Sequence, residues 1–181
     1  IRYGIGILHV KEHNRGKDEI IKGLEYALRQ AKRAEENTTC FCTTAMMERL
    51  YRNEQILELL RRCIREDSFV VYYQPIYDIE EQAYTKAEAL LRLPPHELGQ
   101  LRPDEFIPLA EENGLITEIT YQVLRKTCLF LQQLQQSGIP MKGISVNFSA
   151  VMFLQQDLAN TILSIIAEYG IPAKLLQIEL T

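Results

Sequence analysis

Three polar side chains interrupt apolar, strand-like stretches of this sequence: Glu88 in "AEALLRL", Asn147 in "SVNFSA" and Glu179 in "LLQIELT". Burying a charged or polar group costs free energy unless the group finds a partner, so these exceptions point to a ligand. Because neighbouring parallel strands end at one edge of a sheet, the three side chains are expected to converge. Two carboxylates and an amide oxygen suit Mg²⁺ or Mn²⁺ better than zinc. The alternative for each residue alone is a strand-end polar group that reaches water.

Strands alternate with helices from Ser68 onward. The predicted strands are Phe69–Ile79, Tyr84–Leu93, Lys142–Ala150 and the final "LLQIELT", and the predicted helices are "PDEFIPLAEENG", Thr117–Gln136 and "LQQDLANTILSIIAEYG". The short connection between the first two strands indicates a hairpin, and Pro75 must lie at an end, an edge or a bulge. This alternation is typical of parallel βα units, so the sequence predicts an α/β fold.

The first part of the chain has a different organisation. Ile1–Val10 is predicted to be a short strand, Asp18–Ala34 a helix, and the β-branched run Glu36–Thr44 a strand end or a connector. A helix over about Met46–Arg65 is apolar on one side and dense in Arg and Glu on the other, which indicates a linker helix. Cys63 lies on the apolar side and is predicted to belong to the core.

Composition narrows the class of protein. With 181 residues, 46% of them hydrophobic, the chain can bury a sizeable core, and no stretch is long and apolar enough to span a membrane. A net charge of -4 argues against binding of nucleic-acid polymers, so a phosphate ligand would need local arginines or metal ions. The four cysteines have neither a zinc-like spacing nor a disulfide-like density, which favours a reducing cytoplasm.

Five motifs occur in order along residues 68–181: "YYQPIYD", "AEALLRL", "PDEFIPLAEENGLI", "SVNFSA" and "LQIELT". Together they closely resemble the EAL family of cyclic di-GMP phosphodiesterases. The resemblance implies a TIM-type (β/α) barrel with one strand running against the others. It also implies two Mg²⁺ or Mn²⁺ ions, cyclic di-GMP as the ligand, and hydrolysis of one phosphodiester to linear pGpG.

The same resemblance implies roles for individual residues. By position, Glu88, Asn147 and Glu179 resemble the metal ligands of the family. Arg92 resembles its phosphate-contacting arginine, and Gln74 its ligand-contacting glutamine. The chemistry suits these residue types, because a guanidinium can donate to two phosphate oxygens at once. The alternative for Arg92 is a strand-end arginine paired with a surface carboxylate.

The beginning of the chain resembles the end of a GGDEF domain, the diguanylate cyclase module. The resemblance rests on "YGIGI" followed by a helix with "YALRQAKRAEEN", in which Lys32 and Asn37 match the family. Glu35 and Glu36 stand where that family has glycine and arginine. Because an anion in place of a phosphate-binding cation repels phosphate, this part is expected to be degenerate and to lack cyclase activity.

These resemblances divide the chain into a GGDEF remnant at residues 1–45, a linker helix at 46–67 and the first half of an EAL domain at 68–181. The Asp-Asp strand, the lysine and further acidic residues of the family would follow Thr181. The catalytic set is therefore incomplete, and the chain itself is expected to be inactive. Whether the parent protein is an enzyme stays open: a phosphoric diester hydrolase is favoured, and the alternative is a non-catalytic cyclic di-GMP receptor or a regulatory protein.

Four further expectations concern surfaces and location. A barrel that stops midway would leave "LLQIELT" with an unpaired edge and an inner apolar face uncovered, formed by Val70, Leu90, Val146 and Ile178. Glu111 and Glu112 are expected to form a solvated helix face. The EAL or GGDEF modules could also form a homo-oligomer. A cytoplasmic location is expected, and segments upstream of this chain could anchor the parent protein to a membrane.

Overall fold

The chain forms two compact units, Ile1–Ile56 and Leu57–Thr181. A computed structural model describes residues 3–10, 16–33 and 38–181. Three positions on which the comparison with GGDEF domains depends, Glu35, Glu36 and Asn37, lie outside the described residues.

The first unit is built around a parallel pair of strands, β1 (Gly4–Ile7) and β2 (Thr38–Phe41), connected through helix α1 (Lys17–Arg33). The run interpreted as a strand end or connector therefore contains a strand. Gly6 permits the close packing of β1 on α1, because a Cβ there would lie 2.6 Å from the backbone nitrogen of Leu28. The predicted linker helix is helix α2 (Thr44–Glu66), which crosses the boundary between the units.

The second unit contains a sheet of four strands in the order β3 (Val70–Asp78), β4 (Ala83–Arg92), β5 (Gly143–Phe148) and β6 (Leu176–Leu180). The first two strands form an antiparallel hairpin, as predicted, and the other two pairings are parallel. Pro75 lies in β3, which is an edge strand among the described residues, next to an irregularity between Ile76 and Tyr77. The prediction for this proline is confirmed.

Helices cover one face of this sheet. Helix α3 (Pro103–Glu112) packs against α4 (Ile116–Gln136), and it is α4 and α5 (Leu158–Glu168) that cover this face. Short 3₁₀ helices lie at Ala150–Leu154 and Ala173–Leu175. The core joins strand residues to helix residues: Ala87, Ala89, Ile144, Val146 and Phe148 pack with Leu124, Cys128, Leu131 and Ile165. Cys63 is 1% exposed, so its prediction as a core residue is confirmed.

The alternation of side chains along a strand corrects one expectation about the sheet. Val146 and Ile178 are paired across β5 and β6 on the helix-covered face, and Val146 is fully buried there. Val70 and Leu90 lie on the opposite face, because they alternate with residues that pack on the helices. The four residues therefore do not share an inner face.

None of the helices within residues 3–10, 16–33 and 38–181 combines the length and the hydrophobicity that crossing a membrane requires.

Candidate functional site

The sheet register places all five predicted site residues on the face opposite the one that α4 and α5 cover. Gln74 is directly across from Glu88 in the β3–β4 hairpin, and Arg92 lies four residues beyond Glu88 on the same side of β4. Ser145 is beside Glu88, and Asn147 follows two residues later, next to Glu179 in β6. Three neighbouring strands thus present Glu88, Asn147 and Glu179 to a common space.

Glu88 and Asn147 are in direct contact. The Asn147 side-chain Nδ2 donates a hydrogen bond of 2.7 Å to Glu88 Oε1, and both residues are partly buried. Rotation of the amide by half a turn presents its oxygen at the same place. Adjacent oxygens around an octahedral Mg²⁺ lie about 3 Å apart, so this spacing fits two ligands of one ion.

The donor set is consistent with a hard cation. No group of three His, Cys, Asp or Glu side chains that could hold a metal ion occurs within the described part of the chain. A site here would instead combine the carboxylates of Glu88 and Glu179 with the amide oxygen of Asn147. An oxygen-only set of this kind fits Mg²⁺ or Mn²⁺, whereas zinc prefers nitrogen and sulfur ligands.

Arg92 is oriented by its neighbours on the sheet. Its Nη1 donates a hydrogen bond of 2.8 Å to the carbonyl oxygen of Leu91, and its guanidinium carbon lies 5.7 Å from the centre of the Tyr72 ring. That distance is within the range of a cation–π contact. Among residues 3–10, 16–33 and 38–181, no carboxylate forms an ion pair with Arg92, in contrast to the surface-pair alternative.

A cavity of about 500 Å³ opens at the carboxyl ends of β4 and β5, next to α3 and α4. Glu88, Arg92 and Asn147 line it together. Much of its remaining wall is apolar and comes from Leu90, Ile107, Pro108, Ile119 and Val123. Gln74 and Glu179 lie on the same sheet face but are not part of this lining. The structure thus brings three of the five predicted residues into one cavity.

Ser149 and Glu111 also line the cavity, and neither was predicted as a site residue. The Ser149 hydroxyl donates a hydrogen bond of 2.6 Å to Glu111 Oε1, and Ser149 is only 5% exposed. The expectation of a solvated face is therefore wrong for Glu111, while Glu112 is exposed. A signal was present in the sequence: Glu111 follows Ile107 by four residues, so both lie on the same side of α3.

The other end of the sheet carries a separate cluster of charges. Lys142 Nζ lies 3.1 Å from Asp78 Oδ2 and 2.7 Å from Glu81 Oε1, which connects the β3–β4 turn to the start of β5. The backbone N–H of Glu81 and the Lys142 ammonium lower the pKa of the Asp78 carboxyl. These ion pairs tie the β3–β4 turn to the residues just before β5.

Comparison with known proteins identifies a family. The family model described as "EAL domain" matches residues 57–181. The cyclic di-GMP phosphodiesterase NbdA of Pseudomonas aeruginosa is 31% identical over 164 residues, a stretch that covers 91% of this chain and 21% of NbdA.

Two solved structures extend the comparison. The EAL domain of FimX from Xanthomonas citri, in complex with cyclic di-GMP, has a TM-score of 0.62 at 27% identity, covering 72% of this chain and 50% of that chain. The MucR phosphodiesterase of Pseudomonas aeruginosa, also a cyclic di-GMP complex, has a TM-score of 0.64 at 29% identity. The match covers 68% of this chain and 50% of that chain. The chain thus spans about half of each solved chain.

Proposed function

Because the chain belongs to the EAL domain family, we propose that residues 57–181 supply the metal-binding and phosphate-binding part of a cyclic di-GMP phosphodiesterase site. The observation that carries this proposal is the 2.7 Å contact between Glu88 and Asn147, with Arg92 lining the same cavity. The protein that carries this chain would hydrolyse cyclic di-GMP to pGpG.

The resemblance to the EAL family suggests a role for each site residue, and side-chain chemistry is consistent with these roles. Glu88, Asn147 and Glu179 would hold Mg²⁺ or Mn²⁺ through their side-chain oxygens. When bound, such ions lower the pKa of a coordinated water and neutralise charge that develops on the phosphate. Arg92 binds phosphate oxygens through its planar N–H groups, and Gln74, across from Glu88, contacts the ligand.

The walls of the cavity strengthen these interactions. Leu90, Ile107 and Val123 form an apolar wall beside Arg92. Charge–charge attraction grows as the surrounding dielectric constant falls, so a phosphate is held more tightly here than by an arginine in open solvent. Arg92 is also pre-oriented by the Leu91 carbonyl, which reduces the conformational entropy that ligand binding must remove.

For the first unit we propose that residues 1–45 are the end of a degenerate GGDEF domain, followed by a linker helix. The parallel β1–α1–β2 arrangement supports this assignment, and Lys32 is exposed in the last turn of α1. The glutamates at positions 35 and 36 would repel the phosphates of GTP and so disfavour its binding. The protein is therefore expected to make no cyclic di-GMP from GTP, and detection of that product by chromatography would contradict the assignment.

A turnover assay tests the phosphodiesterase proposal. The protein that carries this chain should release pGpG from cyclic di-GMP in Mg²⁺ or Mn²⁺, and Glu88→Gln should lower the rate by at least about 100-fold because it removes a ligand charge. Glu80→Gln, at the exposed β3–β4 turn, is the matched control and should retain activity.

The outcomes separate the two functional classes. If the Glu88→Gln variant hydrolyses cyclic di-GMP as fast as the unmodified protein, the assignment of Glu88 to the site is wrong. A folded protein that binds cyclic di-GMP but yields no pGpG would instead support the receptor alternative, because binding needs the cavity and Arg92 whereas hydrolysis needs the metal ions as well.

A further inference from the structure

We propose that the hydrogen bond between Ser149 and Glu111 positions Asn147, so that Glu111 acts as a positioning residue for metal binding. This inference rests on the proposed function, since it assumes that Asn147 is a metal ligand. In structural terms, α3 holds the end of β5 in place through the buried hydroxyl of Ser149. Glu111 itself need not touch the ion or the substrate.

The contact is short and well protected. Ser149 is 5% exposed, and its hydroxyl donates a 2.6 Å hydrogen bond to Glu111 Oε1. A hydrogen bond to a carboxylate is stronger than one between neutral groups. The same hydroxyl oxygen accepts from the backbone nitrogen of Val151 at 3.4 Å, where Ser149 caps the following 3₁₀ helix. Ser149 therefore fixes both its own position and the direction of the chain after β5.

Asn147 lies two residues before this anchor. Between them, Phe148 is fully buried, and its carbonyl oxygen accepts hydrogen bonds from the backbone nitrogen and the hydroxyl of Thr181 at 3.1 and 3.4 Å. The end of β5 is thus held by β6 on one side and by α3 through Glu111 on the other. Loss of the α3 contact would leave Asn147 with a broader range of positions relative to Glu88.

A second tether should keep this region folded when the Glu111 contact is lost. Gln155, just after the 3₁₀ helix, accepts a hydrogen bond from the Tyr121 hydroxyl at 3.1 Å and donates one to Thr117 Oγ1 at 2.7 Å. These contacts connect the segment to α4 and do not involve Glu111. Variants at Glu111 should therefore loosen the end of β5 while the overall fold persists.

A purely electrostatic effect is the competing explanation. Glu111 lines the cavity with Glu88, and its negative charge would attract a cation whether or not Ser149 is present. The two explanations predict different patterns. Positioning requires the hydroxyl and an acceptor oxygen, whereas electrostatic attraction requires only the carboxylate charge.

Mn²⁺ binding to the protein that carries this chain, without substrate, tests the inference by electron paramagnetic resonance titration. Ser149→Ala and Glu111→Ala should each weaken Mn²⁺ binding about tenfold, and the double variant should show no further loss. Glu111→Gln keeps an acceptor oxygen without the charge and should stay within about threefold of the unmodified protein. Glu112→Ala removes the neighbouring exposed carboxylate as the matched control and should leave Mn²⁺ binding unchanged.

Three results decide the matter. If Ser149→Ala binds Mn²⁺ normally while Glu111→Ala and Glu111→Gln are equally weak, the effect is electrostatic and the positioning role is wrong. If Asn147→Ala weakens Mn²⁺ binding but neither Ser149→Ala nor Glu111→Ala does, the proposed metal site stands and this inference fails. If Asn147→Ala has no effect, the assignment of the metal site itself is wrong. Melting temperatures within the same series exclude general unfolding as the cause.

Discussion

Arg92 combines a charged group with an environment that fixes its direction. The Leu91 carbonyl oxygen accepts a hydrogen bond from Arg92 Nη1, and the centre of the Tyr72 ring lies 5.7 Å from the guanidinium carbon. The remaining N–H groups of a guanidinium stay in one plane, which matches the spacing of phosphate oxygens. If Arg92 binds phosphate as proposed, the geometry of its guanidinium should matter as well as its charge.

Arg92→Lys should therefore weaken cyclic di-GMP binding by about tenfold, although the charge is retained, because an ammonium cannot donate in the same two directions. Calorimetry in EDTA measures ligand binding without turnover. Arg65→Lys, at an exposed position of α2, is the matched control and should bind like the unmodified protein. Equal affinity of the Arg92→Lys variant would mean that charge alone suffices.

Helix α4 is the element that covers the sheet most extensively. Leu124, Cys128 and Leu131 occur along one side of it and are fully buried, whereas Leu129 on another side is 42% exposed. The helix also lines the cavity through Ile119 and Val123. The same element thus provides core packing and the apolar wall of the site.

Leu124→Ala should lower the free energy of unfolding by about 3 kcal/mol, because it removes buried methyl groups and leaves a cavity. Leu129→Ala removes the same atoms from an exposed position and should change the free energy of unfolding by less than about 0.5 kcal/mol. Urea denaturation followed by circular dichroism measures both. Similar losses for the two variants would contradict the assignment of the buried side of α4.

The end of helix α5 depends on backbone conformation. Gly170 follows this helix with a φ of 62°, and a Cβ at this position would meet no atom within 4 Å. Gly170→Ala should therefore destabilise the protein by about 1 kcal/mol through backbone strain alone. Gly16→Ala also adds a Cβ in open space, without a left-handed φ, and should cost less. Thermal unfolding of the two variants gives the comparison.

The stability of the whole molecule should depend on pH through a buried thiol. Desolvation by burial, with a smaller contribution from Glu168, raises the pKa of Cys128 from its ordinary 9.0 to about 11. Below pH 9 the thiol is protonated in both the folded and the unfolded state. As the pH rises above 9, the unfolded chain loses this proton first, so ionisation favours unfolding.

The free energy of unfolding should therefore fall between about pH 9 and 11, by about 2 kcal/mol from Cys128. Urea denaturation at several pH values measures this slope. Cys128→Ala lowers stability at every pH but should make the slope shallower in that interval, since the titrating thiol is gone. An unchanged slope would show that other groups account for the pH dependence.

Sequence patterns predicted the order of strands and helices in residues 68–181, the hairpin, and the restriction of Pro75 to an end, an edge or a bulge, and they singled out Glu88, Asn147 and Glu179. They could do so because these features depend on local hydrophobic periods and short motifs. The resemblance to the EAL family also came from motifs quoted in the sequence, and the family match over residues 57–181 agrees with it. That Glu88 and Arg92 share a side of one strand follows from their spacing alone.

Only the tertiary structure decided which residues of different strands meet. Register places Glu88 beside Ser145, and a side-chain contact across 59 positions then joins Glu88 to Asn147. The same holds for Glu111 and Ser149, which are 38 positions apart. It also decided that Val146 faces the helices while Leu90 does not. Local periodicity fixes which side of its own element a residue occupies, but hydrogen bonding and packing between distant segments determine its neighbours.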